Sequence, residues 1–335
     1  MINNIQVLRC FAALLVVMYH IPGIMSRYGL GNLELGKWSA FGVDIFFVIS
    51  GYIMAKISSK HSHGPLDFLK KRIGRIVPLY VFLTLVFITL QFLVPSAFNL
   101  KIYDFKQNTT SLFLISHFFG YDYPSLYVGW SLELEALFYI LFSVSMLVKA
   151  ENSKYFLLML MVLFSIKMNL SPSISIEFLY GILIYKIDLS FKVKKKPSYH
   201  FFYITFILLC FMASGLHCEI SPTTFTRPFT YGAIAFFIVL FAVIFSDAPK
   251  NILTKIGDAS YSIYLTQVFS LPVILKFFLA IGVKNSPQIV FFSSLLFSIV
   301  IGYMTYYLIE LRIKNALNSI RSEERRVGKE CRSRW

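Results

Sequence analysis

Charge is scarce in this chain. Only 15% of its 335 residues are Asp, Glu, Lys or Arg, and just 17 are acidic, where a soluble domain carries about 25% charged residues. A soluble enzyme of this length is therefore set aside. Cysteine is sparser still: Cys10, Cys210, Cys218 and Cys331 have no metal-ligand spacing and form no disulfide framework. No metal site is expected. Nor is a cleavable leader, because the first apolar stretch contains Arg9 and His20 and continues into a second.

What is there instead is apolar surface. Hydrophobic residues make up 57% of the chain, with 35 Phe and 20 Tyr, and stretches of about 20 such residues recur along it, the length that crosses a bilayer as a helix. They read as spans near 5–25, 41–57, 76–94, 127–147, 155–170, 173–189, 200–217, 229–246, 259–280 and 288–309. The fold class predicted is an all-α polytopic membrane protein, a bundle of about ten transmembrane helices. The fifth and sixth spans are short and separated by NLSPS, so one of them could be tilted or partly re-entrant.

The formal net charge of +15 would suggest nucleic acid for a soluble protein. Its placement excludes that partner. With the N-terminus cytoplasmic, 18 Lys and Arg fall on the cytoplasmic side and eight on the other, the positive-inside pattern, which puts both termini in the cytoplasm. Residues 1–312 form the membrane domain. Within it, 95–126 is the longest outer loop, with Asp104, His117 and Asp122 around the apolar run SLFLISHFFGY. That run is too short to cross and suits the membrane interface, so a lid and a plain connector both remain open. Residues 313–335 make a cytoplasmic tail. Its last part, RSEERRVGKECRSRW at 321–335, has the look of a translated vector or assembly artefact rather than a basic lipid-binding tail; without it the net charge is +12 and the bias stands.

Ionisable groups at membrane depth normally face protein or water, not lipid. Arg9 and His20 are eleven residues apart, about 16 Å along a helix. Asp44, at the start of the second span, is expected near the depth of His20, and Glu133 and Glu135 begin the fourth span at that same level on different helix faces. A histidine beside a carboxylate has the composition of a general base; a histidine satisfied in a helix core is the plainer reading. Arg72 and Arg75, three residues apart in KKRIGRIVPLY, can fork onto a phosphate, although basic residues also mark ordinary cytoplasmic helix ends. Trp130, Ser131 and Tyr139 flank Glu135 and are candidates for contact with substrate.

These motifs, in this order, resemble the acyltransferase 3 family of bacterial inner-membrane proteins. LRCFAALLVVMYH is similar to its Arg, ten residues, His signature; FGVDIFFVISGYIM to its second-helix motif, with Asp44 and Ser50 as polar members; KKRIGRIVPLY to its arginine pair. WSLELEALFY carries Glu135 at the family's acidic place, GDASYSIYLTQ is similar to the late-helix motif, and Glu310 to the acidic residue near the end. Two positions depart: Gln267 stands where many relatives have histidine, and Arg312 where a proline is common. The resemblance implies transfer of an acyl group, most often acetyl, from acetyl-CoA on the cytoplasmic side to a hydroxyl of a surface or exported carbohydrate such as O-antigen or exopolysaccharide, free or polyprenyl-linked, at the bacterial inner membrane. It implies His20, Asp44 and Glu135 as catalytic residues, with Arg9, Arg72 and Arg75 on the donor. Transfer is then direct, through an acyl-enzyme, or by way of a separate extracytoplasmic acyl-accepting protein. The rival is a transporter of a sugar-linked or lipid-linked solute, which uses buried charges equally well but often shows duplicated halves, and no repeat is evident here.

Overall fold

The computed structural model describes residues 2–31, 33, 37–60, 64–95, 103–190, 197–216, 221–283 and 286–319. The predicted artefact at 321–335 lies outside them. Described residues form helices and connecting turns, with no strand among them. The helices are α1 (Asn3–Arg27), α2 (Gly42–Lys60), α3 (Pro65–Leu93), α4 (Phe105–Leu112), α5 (Trp130–Ser145), α6 (Glu151–Lys167), α7 (Glu177–Ser190), α8 (Tyr199–Ser214), α9 (Tyr231–Ile244), α10 (Ile252–Asp258), α11 (Ser260–Ala280) and α12 (Pro287–Thr305), the last running through a π turn, Tyr306–Glu310.

Seven stretches are long and apolar enough to cross a membrane: Asn3–Arg27, Lys37–Ser59, Pro65–Leu93, Tyr127–Ser145, Arg227–Ile244, Ser260–Ala280 and Pro287–Ser319. They correspond to seven of the predicted spans. The other three are the shorter helices α6, α7 and α8. Asn169, in the left-handed region at φ 54°, turns the chain out of α6, and the 14 residues of α7 cover about 21 Å, short of a bilayer core. The chain is a multi-pass membrane protein. Large apolar side chains stand outward on its rim, among them Phe156, Phe211, Phe237 and Phe292, as lipid-facing surfaces require.

Close backbone approach organises the centre. A Cβ on Gly51 would lie 2.0 Å from the Phe178 carbonyl oxygen, and one on Gly181 2.2 Å from that of Val48, so α2 and α7 meet with nothing between their main chains. Around α2 stand α1, α5, α7 and α9, and α1 also packs on α10, α11 and α12. The N-terminal end of α1 is pinned by Asn4, fully buried. Its amide donates to the carbonyls of Ala242 (3.1 Å) and Ser246 (3.0 Å) and accepts from the Ala248 N–H (3.0 Å).

The arginine run is already helical, because α3 starts at Pro65, with proline at its first position, where no N–H is needed. In the outer loop, α4 and the turns after it are knit by Ser111, whose hydroxyl hydrogen bonds to those of Ser116 and Ser125 and accepts from the Ser125 N–H. Phe105 and Phe113 remain exposed there, as an interfacial segment would leave them.

Candidate active site

A cavity of about 710 Å³, counting its open mouth, lies among α1, α2, α3, α5 and α11. Its lining on α2 runs from Val43 to Met54, about 16 Å of helix. Three charged residues face it: Arg9 from α1, Arg75 from α3 and Glu135 from α5. Arg9 is buried and donates to Gln6 Oε1 at 3.1 Å; Gln6 in turn donates to Asp258. Arg75 is exposed at the mouth and has no hydrogen-bond or ion-pair partner among the described residues. Glu135 accepts from the Ser50 hydroxyl at 2.9 Å and from the hydroxyl of Tyr139, one turn along its own helix.

Two donors on one carboxylate oxygen hold its orientation while the side chain still faces open space. At the far end Ser131 and Tyr264 share a hydrogen bond of 2.7 Å, and Tyr264 reaches the Val128 carbonyl at 2.6 Å. Tyr127, which is not among the cavity's lining residues, packs its ring against His20 with centroids 5.1 Å apart.

The structure thus brings together Arg9, Arg75, Glu135, Ser131 and Tyr139. Arg72 stands behind them, its guanidinium over the Phe68 ring at 5.9 Å and its buried Nε without a partner among the described residues. Trp130 is one layer back, edge-on to Phe47, which lines the cavity.

Two expected contacts are corrected. His20 sits between the rings of Tyr19 and Tyr127 and makes no hydrogen bond or ion pair among the described residues; neither Asp44 nor Glu135 meets it. The reason is depth. A Cβ on Gly42 would touch the Ala12 carbonyl at 2.5 Å and Val16 at 3.0 Å, so α2 begins beside a level about 6 to 12 Å short of His20 along α1. Asp44 is instead taken by Arg227, whose Nη2 lies 2.7 Å and Nε 3.1 Å from its carboxylate oxygens. Arg227 also donates to the Ala40 carbonyl at 3.3 Å.

Glu177, fully buried, lies against this pair, with Gly232 leaving room for its carboxyl. Arg227 is one of the eight Lys and Arg that the sequence places on the outer side. The available signal was Asp44 itself, since an anion buried in an apolar stretch requires a cation. Glu133 and Glu135 part as predicted: Glu133 turns away to accept the backbone N–H groups of Ser116 (2.8 Å) and His117 (3.1 Å). Glu310, on the π turn, accepts from Ser262 at 2.6 Å, and Gln267 donates to the Tyr264 carbonyl of its own helix at 2.8 Å. The glycines Gly51, Gly181, Gly232 and Gly302 all sit at close contacts. No cluster of metal-ligating side chains occurs among the described residues.

A cavity in a helical membrane bundle thus sets guanidiniums beside a hydrogen-bonded carboxylate. Residues 2–307 match the acyltransferase domain family Acyl_transf_3, and the chain belongs to that family, as an O-acyltransferase. It is similar to the exopolysaccharide production protein ExoZ of Rhizobium meliloti, 30% identical over 292 residues covering 81% of this chain and 88% of ExoZ. It is also similar to the peptidoglycan O-acetyltransferase OatA of Listeria monocytogenes, 30% identical over 44% of this chain and 24% of that protein. The O-acetyltransferase OatA of Staphylococcus aureus is 27% identical over 40% of this chain and 23% of its own length. No solved structure matches.

Proposed function

We propose that this protein transfers an acetyl group from acetyl-CoA to a hydroxyl of a cell-surface or exported carbohydrate at the bacterial cytoplasmic membrane. The observation that carries the reading is the cavity in which Arg9 and Arg75 face the same space as Glu135. Guanidiniums that the protein leaves without carboxylate partners, and the orphaned Nε of Arg72, fit the phosphates of a coenzyme A, which supply the missing acceptors in forked pairs. When bound, the donor contributes an acyl thioester. Arg9, Arg72 and Arg75 hold it, Glu135 takes a hydroxyl proton in the cavity, and Ser131 and Tyr139 line the path. His20, outside that cavity, meets the incoming carbohydrate without a carboxylate helper. Asp44 drops out of the chemistry.

The Lys and Arg bias supports a bundle of about ten spans with both termini in the cytoplasm; the arginine mouth then opens to the cytoplasm and His20 lies in the outer half. The names of the relatives favour a polysaccharide or peptidoglycan sugar as acceptor, and a polyprenyl-linked intermediate or a separate extracytoplasmic carrier protein fits the same geometry. The test is transfer of labelled acetyl from acetyl-CoA to membrane carbohydrate. Wild-type protein forms an alkali-labile ester, and Glu135→Gln and His20→Ala each slow it by about 100-fold, the scale of one general base, at equal protein abundance. Solute movement without ester would replace the reading by transport. Undiminished transfer in either variant removes that residue from the chemistry.

A further inference from the structure

The geometry points to Ser50 as a nucleophile that carries the acyl group on the enzyme between donor and acceptor, with Glu135 as its base. This deepens the acyltransferase reading above and rests on it.

A serine in a helix usually returns its hydroxyl to a carbonyl of its own helix. Ser145 does so onto Phe142 at 2.7 Å, and the hydroxyls of Thr84 and Thr266 likewise bond to Tyr80 (2.8 Å) and Ser262 (2.7 Å). Ser50, in the middle of α2, does not. It donates across the bundle to Glu135 Oε1 on α5 at 2.9 Å, and both residues line the cavity that Arg9 and Arg75 face. Ser262 also donates to a carboxylate, Glu310, but that pair is not part of the cavity wall. Ser50 therefore combines three things: a hydroxyl aimed at a base, a base held by a second donor in Tyr139, and open space beside both. Nucleophile, base and orienting group within hydrogen-bond reach are the arrangement that covalent catalysis requires.

A covalent stop lets the donor leave before the acceptor enters, so that the same base, Glu135, serves both halves of the transfer. In the first half-reaction Ser50 Oγ attacks the thioester carbonyl carbon and Glu135 accepts the hydroxyl proton. The carbon–sulfur bond breaks, the thiolate leaves and takes that proton, and Ser50 holds the acyl group as an ester. The charge of Arg9 on the same cavity opposes the negative charge that builds on the carbonyl oxygen. In the second half-reaction a carbohydrate hydroxyl attacks the Ser50 ester and gives its proton to Glu135, which returns it to Ser50 Oγ as the ester bond breaks.

The experiment uses the full chain in detergent, given acetyl-labelled acetyl-CoA with no carbohydrate, then quenched with acid and digested. The expected result is one acetyl group on the peptide that contains Ser50, removed by hydroxylamine and chased into product when membrane carbohydrate is added. Ser50→Ala loses the label and slows ester formation by about 100-fold or more, whereas Ser50→Cys keeps a labelled thioester. The wild-type labelling needs no variant, so a misfolded Ser50→Ala does not decide the matter. Wild-type product without a labelled Ser50 peptide, a label that maps to Tyr139 or His20 instead, or full transfer by folded Ser50→Ala overturns Ser50 while leaving the acyltransferase reading intact. Wild-type protein that yields neither label nor ester overturns both.

Discussion

Two groups of charged side chains, around Asp44 and around Glu135, are built in opposite ways. Around Asp44 the charge is paired within the protein: Arg227 grips the carboxylate through two nitrogens and reaches the Ala40 carbonyl, with Asp44 fully buried, although the Glu177 oxygens beside it have no hydrogen-bond partner among the described residues. Around Glu135 the accounting is left open. Arg9 has a neutral partner in Gln6, Arg75 has none among the described residues, and the carboxylate is held by hydroxyls rather than by the cations that share its cavity. Both clusters carry the cost of placing charge at membrane depth. The first offsets it by internal pairing and serves to fasten α2 to the turn ahead of α9; the second keeps its cations available. What separates a structural charge from a functional one here is the presence of a fixed partner of opposite sign, not the depth or the residue type.

The contrast breaks most visibly at Arg227. Arg227→Ala leaves Asp44 and Glu177 buried together without a cation, which costs about 3 to 5 kcal/mol. Thermal unfolding in detergent is expected to show a large loss of stability and expression to fall. The double variant Arg227→Ala/Asp44→Ala is expected to recover part of that loss, because one of the two stranded carboxylates is gone. A single variant as stable as wild type would mean that the pair does not hold α2 in place.

At the other cluster the same kind of substitution moves binding rather than folding. Arg9→Ala/Arg75→Ala is expected to unfold close to the wild-type temperature and to raise the KM for acetyl-CoA by about tenfold or more, since each charge-assisted bond contributes about 1.5 to 3 kcal/mol. kcat at saturating donor changes less. An unaltered KM with intact turnover rejects the phosphate role for both residues.

Much of this was legible in the sequence, and the parts that were not share a cause. Apolar runs located the helices well, because burial in lipid demands length and hydrophobicity that few other contexts require; the two spans that read as short, the fifth and sixth, are the short helices α6 and α7. Glu133 and Glu135 were separable on helix geometry alone. Asp44 was drawn to the wrong partner because its depth was estimated from span ends, and α1 extends beyond α2: a register offset between neighbouring helices leaves no trace in either sequence. Arg227 was missed for the same reason, since a residue in a turn reads as solvated until the turn is seen folded inward. Ser50 was visible as a polar member of a motif, but its bond to Glu135 joins residues 85 positions apart, and only the packed bundle shows it.

Glu133 lies between the two extremes and refines the comparison with the smallest expected effect. It is a buried anion with no cation, satisfied by the Ser116 and His117 backbone N–H groups, one on each carboxylate oxygen. Glu133→Gln keeps one acceptor and puts an amide donor where the other N–H pointed, so one bond is lost and the other loses its charge assistance. The expected cost is about 1 kcal/mol, confined to the turn that follows α4. Hydrogen exchange at the Ser116 and His117 amides should quicken while the KM for acetyl-CoA stays unchanged, because this carboxylate faces the outer loop and not the cavity. A shift in donor KM of the size expected for the arginine double variant would show instead that the loop and the donor cavity are coupled, and that an anion without a cation is functional at Glu133 as well as at Glu135.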